Sequence, residues 1–599
     1  MKHFTLRVRL RSPLLAGGQS TPVSDVDLTT AVDARGKPYL PASALRGALR
    51  EACVRLENAR AADGVTADPW SGGPLTRSLF GEPGRDRPGL VPEAEAVHAG
   101  VAEPERSRCG FRVGDAKLES GGWDRGVRPG VAISRQTQSA QEGLHYQVET
   151  FDVPDAELVA ACELDASPEA EQLLLDALSL VDGVGRGRSR GLGWVELELV
   201  PREAPRDSIA LVQPPPPQGV AVLDVLAVER LVLGGLRGPT NVRESLELLP
   251  GSMLRGALAA AVLASGTSPE DDVFRRAFVD PSSCLLFSDV LPVGKDAPAG
   301  AVPTPLPRSL LACRRANEKD HLEADRASRK RGVRFDTLVL STLQSALLER
   351  GGFPEQILCP VCKSPLRPTR RSDTAVRQRV VTRVGRDVGT GSFMDGLLYS
   401  TVEIEPDTRF RGTVARLDAA AQALLARAST QVIRVGGLRS RGLGTVKLSF
   451  AVPGSGVRAV ERRLKSFRQA LQPWMPAVRA AAVPGWPEDV DRIVPVLART
   501  DIAHPPEASS ALLAETLRGR VLASFQTTSV RSGWDDRAKE PRTLRPVVAA
   551  GSAWLLALDA KVDLDLLARL ESEGIGDDRH LGMGRLAFAS ESFEEGLDT

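Results

Sequence analysis

From Phe4 to Leu10 apolar and polar side chains alternate, the period of a strand with one buried face. A helix is predicted to follow at Ser43, whose hydroxyl suits the cap, and Leu45, Leu49, Ala52, Cys53 and Leu56 then share one face for packing on a sheet. Glu169 to Val181 has helical spacing again, Gly183–Gly193 is a glycine-rich loop, and Trp194 to Leu199 returns to alternation. A second round starts at Val220–Leu233 and ends with the strand Thr445–Phe450. A third is shorter: strands at Arg520–Thr527 and Ala553–Leu558, a helix over Asp563–Ser572, then Arg579–Arg585 as a degenerate glycine loop before a last strand.

Two motifs recur in the same order in the first two rounds. Pro41-Ala42-Ser43-Ala44-Leu45-Arg46-Gly47-Ala48-Leu49 returns as Pro250-Gly251-Ser252-Met253-Leu254-Arg255-Gly256-Ala257-Leu258, and Arg188-Ser189-Arg190-Gly191-Leu192-Gly193 returns unchanged at Arg439–Gly444. The chain therefore contains a duplicated unit. Its expected organisation is a first unit at 1–200, a Pro-rich linker at 201–219 containing Pro214–Pro217, and a second unit at 220–452 with a Cys/Arg-rich insertion at about 300–386. An Ala-rich helical connector at 453–518 and a third unit at 519–599 complete it.

Bulk composition narrows the class. With 599 residues and 42% hydrophobic content the chain is too long for one core. Lys+Arg 77 against Asp+Glu 76 leaves a net charge of +1, so a nucleic-acid site must be a local patch. No apolar run spans a bilayer and no signal pattern opens the chain, which reads as cytoplasmic. Aromatic residues at 4% argue against extensive base stacking and for recognition of backbone and shape.

The glycine loops follow a helix and lead into a strand, the reverse of a Walker or dinucleotide loop, so a nucleotide-binding enzyme is disfavoured. A helix C-cap with a tight turn accounts for the glycines. It leaves Arg186, Arg188 and Arg190, with Arg439 and Arg441, as candidates for an RNA backbone. Arg46 and Arg255, in first helical turns, oppose the macrodipole unless an anion answers them, and a carboxylate or a phosphate would serve. Cys359-Pro360-Val361-Cys362 has zinc-knuckle spacing, Cys313 is the natural third ligand and His321 the nearby fourth. Cys53, Cys109, Cys162 and Cys284 read as buried small apolar residues. Beside the knuckle, Arg326–Arg334 and Arg367–Arg386 are strongly basic, and Arg379, Arg383 and Arg386 join the RNA-binding candidates.

The strand, the Ser-x-Leu-Arg-Gly helix start and the terminal glycine loop resemble the RAMP superfamily, which builds type III CRISPR effector complexes. Leu79-Phe80-Gly81, Asp115-Ala116 and Ser134-Arg135-Gln136-Thr137 are similar to segments of its backbone-forming, target-cleaving subunit. Arg386–Gly391, Leu397–Ser400, Gly533-Trp534-Asp535 and Ala549–Ser552 resemble the paired-RAMP subunit of type III-D complexes. The resemblance implies an α+β fold of tandem ferredoxin-like (RRM-like) RAMP domains with insertions, one zinc-binding, in a fusion of two effector subunits. It implies CRISPR RNA and complementary target RNA as ligands, Arg135 among the RNA contacts, and a large polymerase-like subunit, other backbone RAMPs and a small subunit as partners. It also implies target cleavage at Asp27 with Mg²⁺ or another divalent ion, and a β-hairpin thumb at Val131–Tyr146. Asp33 lies six residues after Asp27, and turn or capping roles for these loop carboxylates stay open. The second unit has Leu236 at the position matching Asp27, which implies binding without cutting. The alternative is a non-catalytic guide-binding scaffold or 5′-end capping subunit. In related subunits a histidine is expected near Lys330–Val333, where this chain has arginine.

Overall fold

The computed structural model describes the chain except residues 18–25, 34, 62–71, 82–108, 120–122, 153–156, 205–207, 217–218, 235–240, 295–296, 299, 316–333, 343–356, 360, 369–375, 387–392, 454–455, 482–484, 536–539 and 595–599. Three mainly antiparallel sheets with helices on one face carry the architecture. In the first unit, β1 (Lys2–Leu10) precedes α1 (Ala42–Arg60), β2 (Ala116–Leu118), the long hairpin β3 (Asp124–Ile133) and β4 (Ala140–Asp152), then β5 (Glu157–Leu164), α2 (Pro168–Leu178) and β6 (Val195–Pro201). The strand order is β6-β1-β5-β2, so the first strand is central and pairs antiparallel with both β5 and β6. The alternation read in β1 buries Leu6 and Val8 against Leu45, Leu49, Leu173 and Leu174 of the two helices.

The second unit repeats this plan with β7 (Ala221–Ala227), α3 (Gly251–Ala264), β8 (Leu286–Phe287), the hairpin β9 (Gln378–Arg386) and β10 (Phe393–Ile404), β11 (Arg409–Ala415), α4 (Ala419–Arg427) and β12 (Thr445–Ala451). Its order is β12-β7-β11-β8. After α5 (Val457–Leu471), the third sheet uses β13 (Ile493–Ala498), α6 (Ser509–Leu517), β14 (Gly519–Phe525), the hairpin β15 (Thr528–Asp535) and β16 (Glu540–Val548), β17 (Ala553–Leu558), α7 (Leu564–Glu573) and β18 (Leu586–Phe588), ordered β18-β13-β17-β14. In each sheet the order from the last strand is fourth, first, third, second, the ferredoxin-like order. Each unit also projects one hairpin before its third strand, joined in the second unit by Val242–Arg243 as a third, parallel strand.

Two local readings differ from the sequence pattern. Ile493–Ala498 lies in the stretch read as a helical connector, yet it is the central strand of the third sheet. All six residues are buried, so no period-2 signal is available to reveal it. Ser43 does not cap α1. The helix begins one residue earlier, and its Ala42 N–H donates to Asp115 Oδ1 at 2.9 Å, a cap supplied from 73 residues away. Among the described residues no helix is long and apolar enough to cross a membrane.

Candidate RNA interface and thiol cluster

The duplicated hexapeptide builds the same object twice. A single 3-10 turn at Arg188–Arg190 lies between Gly187 and Gly191, both left-handed (φ 72° and 78°), and Arg439–Arg441 lies between Leu438 and Gly442 (55° and 74°). Both loops run into a last strand, β6 or β12, rather than opening a helix. The second arginine of each copy reaches its own unit's hairpin. Arg190 donates to the Tyr146 hydroxyl with its guanidinium 5.8 Å from the ring centre, and Arg441 donates to the Tyr399 hydroxyl.

The surroundings of the two copies differ. A Cβ added to Gly442 would lie 2.7 Å from both Ala42 Cβ and Val113 O of the first unit, because the second unit's loop sits on the start of α1. The degenerate loop of the third unit does the same to the second: a Cβ on Gly582 would lie 2.6 Å from Asp289 Oδ1 and 3.1 Å from Gly251 at the start of α3. At Gly191 nothing among the described residues lies within 4 Å. The chain thus contains one loop-on-helix-start joint twice, and the first loop is open.

An aspartate organises each joint. Asp115 caps Ala42 with one oxygen and takes Arg230 of the second unit on the other at 2.8 Å. Asp289 accepts from Gly251 N–H at 2.9 Å and pairs with Arg531 of the third unit at 2.5 Å. Arg230 is also held by buried Glu403 at 2.6 Å and lies 5.2 Å from the Tyr39 ring centre. These paired charges are withdrawn from water, where removing one partner leaves the other uncompensated.

Asp27 is exposed beside the middle of the first hairpin, where Gln147 pairs with Pro129. Its N–H donates to Gln147 O at 3.0 Å and its Oδ2 accepts from Gln147 N–H at 2.7 Å, so the backbone of β4 fixes its position. Oδ1 has no partner among the described residues. Other loop segments meet the base of the same hairpin: Phe151 pairs with Leu14, and Arg186 N–H donates to Leu15 O at 2.9 Å, which brings the open glycine loop to this hairpin. The tip, 134–139, carries exposed Arg135, and Val131, Ile133 and Leu144 beside it are 41, 63 and 50% exposed. Asp33 instead accepts from Arg35 and Lys37 N–H at 2.8 and 2.9 Å and closes a turn. Asp25 and Leu236 lie outside the described residues.

Residues 7–196, the first unit with its hairpin and open loop, match the RAMP superfamily. The chain carries a RAMP domain. No curated protein matches the chain. Among solved structures, a chain of the type III-B Cmr-beta complex bound to cognate target RNA, determined by cryo-EM, is 11% identical, with 33% of this chain and 97% of that chain covered and a TM-score of 0.24.

Within the RAMP domain the sequence candidates divide by exposure. Arg135, Arg186 and Arg190 are exposed, and Arg188 is 34% exposed and 3.4 Å from Glu51. Arg46 is spent internally: it donates to Phe111 O at 2.8 Å and Phe80 O at 2.7 Å, and lies 3.6 Å from Cys109 Sγ. Its counterpart Arg255 lies 3.5 Å from Cys284 Sγ. Both helix-start arginines thus find a sulfur rather than a carboxylate, a partner that the motif alone does not specify. Cys53 and Cys162 are buried thiols that burial pushes up to about 12, which suits inert core residues.

Beyond the RAMP domain, Arg379 and Arg383 of β9 are ion-paired rather than free. Arg379 meets Glu405 at 3.2 Å, and Arg383 meets Glu403 at 2.5 Å with 10% of its side chain exposed. They belong to the network around Arg230. Arg439 is exposed. The Arg386 side chain and His321 lie outside the described residues.

Cys313, Cys359 and Cys362 come together as read. Their Sγ atoms all lie within 4.8 Å of one another, with Cys313 and Cys362 at 3.5 Å. Tetrahedral thiolate coordination at about 2.3 Å sets sulfurs about 3.8 Å apart, so the trio fits one soft divalent ion. Burial raises the Cys313 thiol to about 11, so its thiolate needs a cation beside it. The cluster joins a three-stranded sheet (Leu310–Ala312, Arg334–Asp336, Arg367–Pro368) inserted in the second unit.

Proposed function

We propose that the chain is a CRISPR RNA-binding subunit of a type III effector complex, a fusion of RAMP domains in tandem, whose first unit holds the guide and cleaves complementary target RNA beside Asp27. The observation that carries this reading is the exposed Asp27 carboxylate, pinned by the backbone of Gln147 midway along a projecting hairpin whose neighbouring Tyr146 takes Arg190 of the open loop, within residues 7–196 that match the RAMP superfamily. The hairpin serves as the thumb. Its exposed Val131, Ile133 and Leu144 suit contact with base faces, and Arg135 at the tip suits phosphate.

At Asp27 the backbone of Gln147 fixes one carboxylate oxygen, and the other faces outward to accept a ribose 2′-OH or to hold a divalent ion. Mg²⁺ is commonly held by one or two carboxylates with substrate phosphate and water, so a single outward oxygen fits it. Such an ion would supply charge neutralisation at the scissile phosphate. Arginines 186 and 190 would hold the flanking backbone. The thiol trio would hold a structural zinc, with His321 offered as fourth ligand.

The partner reading rests on the open loop. Because the loops at Gly442 and Gly582 each cover a neighbouring helix start, the loop at Gly191 is proposed to dock on the helix start of another RAMP subunit. A scaffold role without cleavage is favoured by one observation, that Asp27 hydrogen-bonds Gln147 as a turn residue would.

The test is cleavage of guide-complementary RNA by the reconstituted complex with Mg²⁺, comparing wild type with Asp27→Asn at matched guide occupancy. Loss of one cut with target binding retained supports the nuclease. Cutting that is unchanged moves the chain to the scaffold class.

A further inference from the structure

A cleft of about 710 Å³ opens between the second and third units, far along the chain from Asp27. Its lining includes the start of α5 (Gly456, Val457 and Ala459), Thr413 of β11, and Arg499 and Arg569 of the third unit. Four features of that lining call for an anion.

Arg499 is only 8% exposed, its Nε is shielded from solvent without a hydrogen-bond partner, and its guanidinium makes no hydrogen bond or ion pair among the described residues. A buried guanidinium without a partner is costly, and structures retain one where a ligand completes it. Burial accordingly holds its pKa below the usual arginine value. Glu571 attracts it but already takes Arg463 at 2.5 Å and Phe588 N–H at 2.9 Å, and Glu573 is 3.4 Å from Arg416.

The second feature is α5 itself. It is a 15-residue helix with no acid in its first turn and no side-chain cap, so its first N–H groups and positive dipole end border the cleft. Third, the Thr413 hydroxyl is buried without a partner among the described residues. Fourth, Arg569 at the rim is exposed and unpaired among the described residues.

We propose that this cleft binds a phosphate monoester of nucleotide size, with its phosphate between Arg499 and the start of α5. The volume exceeds what an inorganic ion needs. Val220, Val302, Val457 and Ala587 give an apolar wall for a base or sugar, and Ser572 and Glu591 can meet hydroxyl or amino groups. The acids on the rim disfavour a polyanionic strand and favour a ligand of low charge.

Calorimetric titration of the full chain with inorganic phosphate, AMP, adenosine and short 5′-phosphorylated or 5′-hydroxyl oligoribonucleotides tests this. AMP should bind saturably and adenosine should not. Arg499→Met should weaken AMP at least about tenfold, the loss of a charge-assisted pair. It should leave the thermal midpoint of the unliganded chain unchanged or higher, since it removes an uncompensated charge. Arg569→Gln, on the exposed rim, should weaken AMP without touching the core. Preference for the 5′-phosphorylated oligonucleotide over AMP would assign the monoester to an RNA end, and the converse to a free nucleotide. No saturable binding of any phosphate ligand in the millimolar range, or unchanged affinity in Arg499→Met, overturns the proposal.

Discussion

The paired glycines Gly442 and Gly191 allow one substitution to be read against its own control. Both are left-handed, at φ 74° and 78°, and both follow Arg-Ser-Arg. Alanine at either position pays the left-handed penalty of roughly 1–2 kcal/mol. At Gly191 that is the whole cost, because nothing among the described residues lies within 4 Å. At Gly442 the new methyl would sit 2.7 Å from Ala42 Cβ and Val113 O, one of which is backbone and cannot swing aside. Overpacking of this kind adds about 1–3 kcal/mol. The excess falls on the joint, and a coupling loss of about 1–3 kcal/mol is about 5- to 150-fold in opening. Hydrogen exchange of the isolated chain, read on peptides covering the start of α1 and Val113–Asp115, should therefore accelerate by that factor in Gly442→Ala and not in Gly191→Ala. Equal effects of the two substitutions, or none at α1 in Gly442→Ala, would refute the joint. Under the proposed docking of the open loop, Gly191→Ala should leave the chain folded but weaken its association with a neighbouring subunit in the reconstituted complex.

Further outcomes follow from the ion pairs and the thiols. Cys359→Ser should abolish bound metal, measured by elemental analysis at wild-type stoichiometry of one ion per chain if the trio is a site, and should make the Leu310–Ala312 and Arg367–Pro368 strands protease-sensitive while the first unit stays intact. Burial favours the neutral form of Glu163, but Arg434 of the second unit at 2.5 Å, with Arg112 and His3, outweighs it and holds the carboxyl below its ordinary 4.5. Its stabilising contribution is therefore present above pH 4.5 and lost as pH falls through the lower folded value. Acid titration of the joint by hydrogen exchange should show this loss in wild type, and Glu163→Gln should start weaker at neutral pH and lose that part of the acid dependence.

The sheets and loops were legible because their signals are local. Alternation in β1, the helical face of Leu45 and Leu49, and glycines at left-handed positions all lie within a few residues of each other. The thiol trio was also legible, since Cys359 and Cys362 have a spacing that only a turn explains and Cys313 was the free thiol upstream. What escaped was long-range pairing. Arg379 and Arg383 read as a basic run because their acids, Glu405 and Glu403, lie just past and on the facing strand of the hairpin. The cap on α1 escaped because Ser43 was the nearest plausible donor of an oxygen, whereas Asp115 arrives from the next strand segment. Strand β13 escaped because burial on both faces erases its period.

The joints explain why identical hexapeptides sit in different surroundings. A loop that only turned the chain would need its glycines but not the same arginine, serine and leucine around them. In the second unit, Arg441 braces the hairpin through Tyr399 while Gly442 admits the neighbouring backbone, so the sequence serves an inward contact and an outward one at once. In the first unit the inward contact is made, by Arg190 to Tyr146, and the outward glycine faces open space. Gly191 keeps an outward face shaped like that of Gly442, and the surface that Gly442 meets is the start of a helix opening Pro-Ala-Ser-x-Leu-Arg-Gly. Under the proposed reading the first unit's loop therefore meets a helix start of that kind on another chain. An aspartate there should cap the helix and take an arginine from this one, as Asp115 and Asp289 do within the chain.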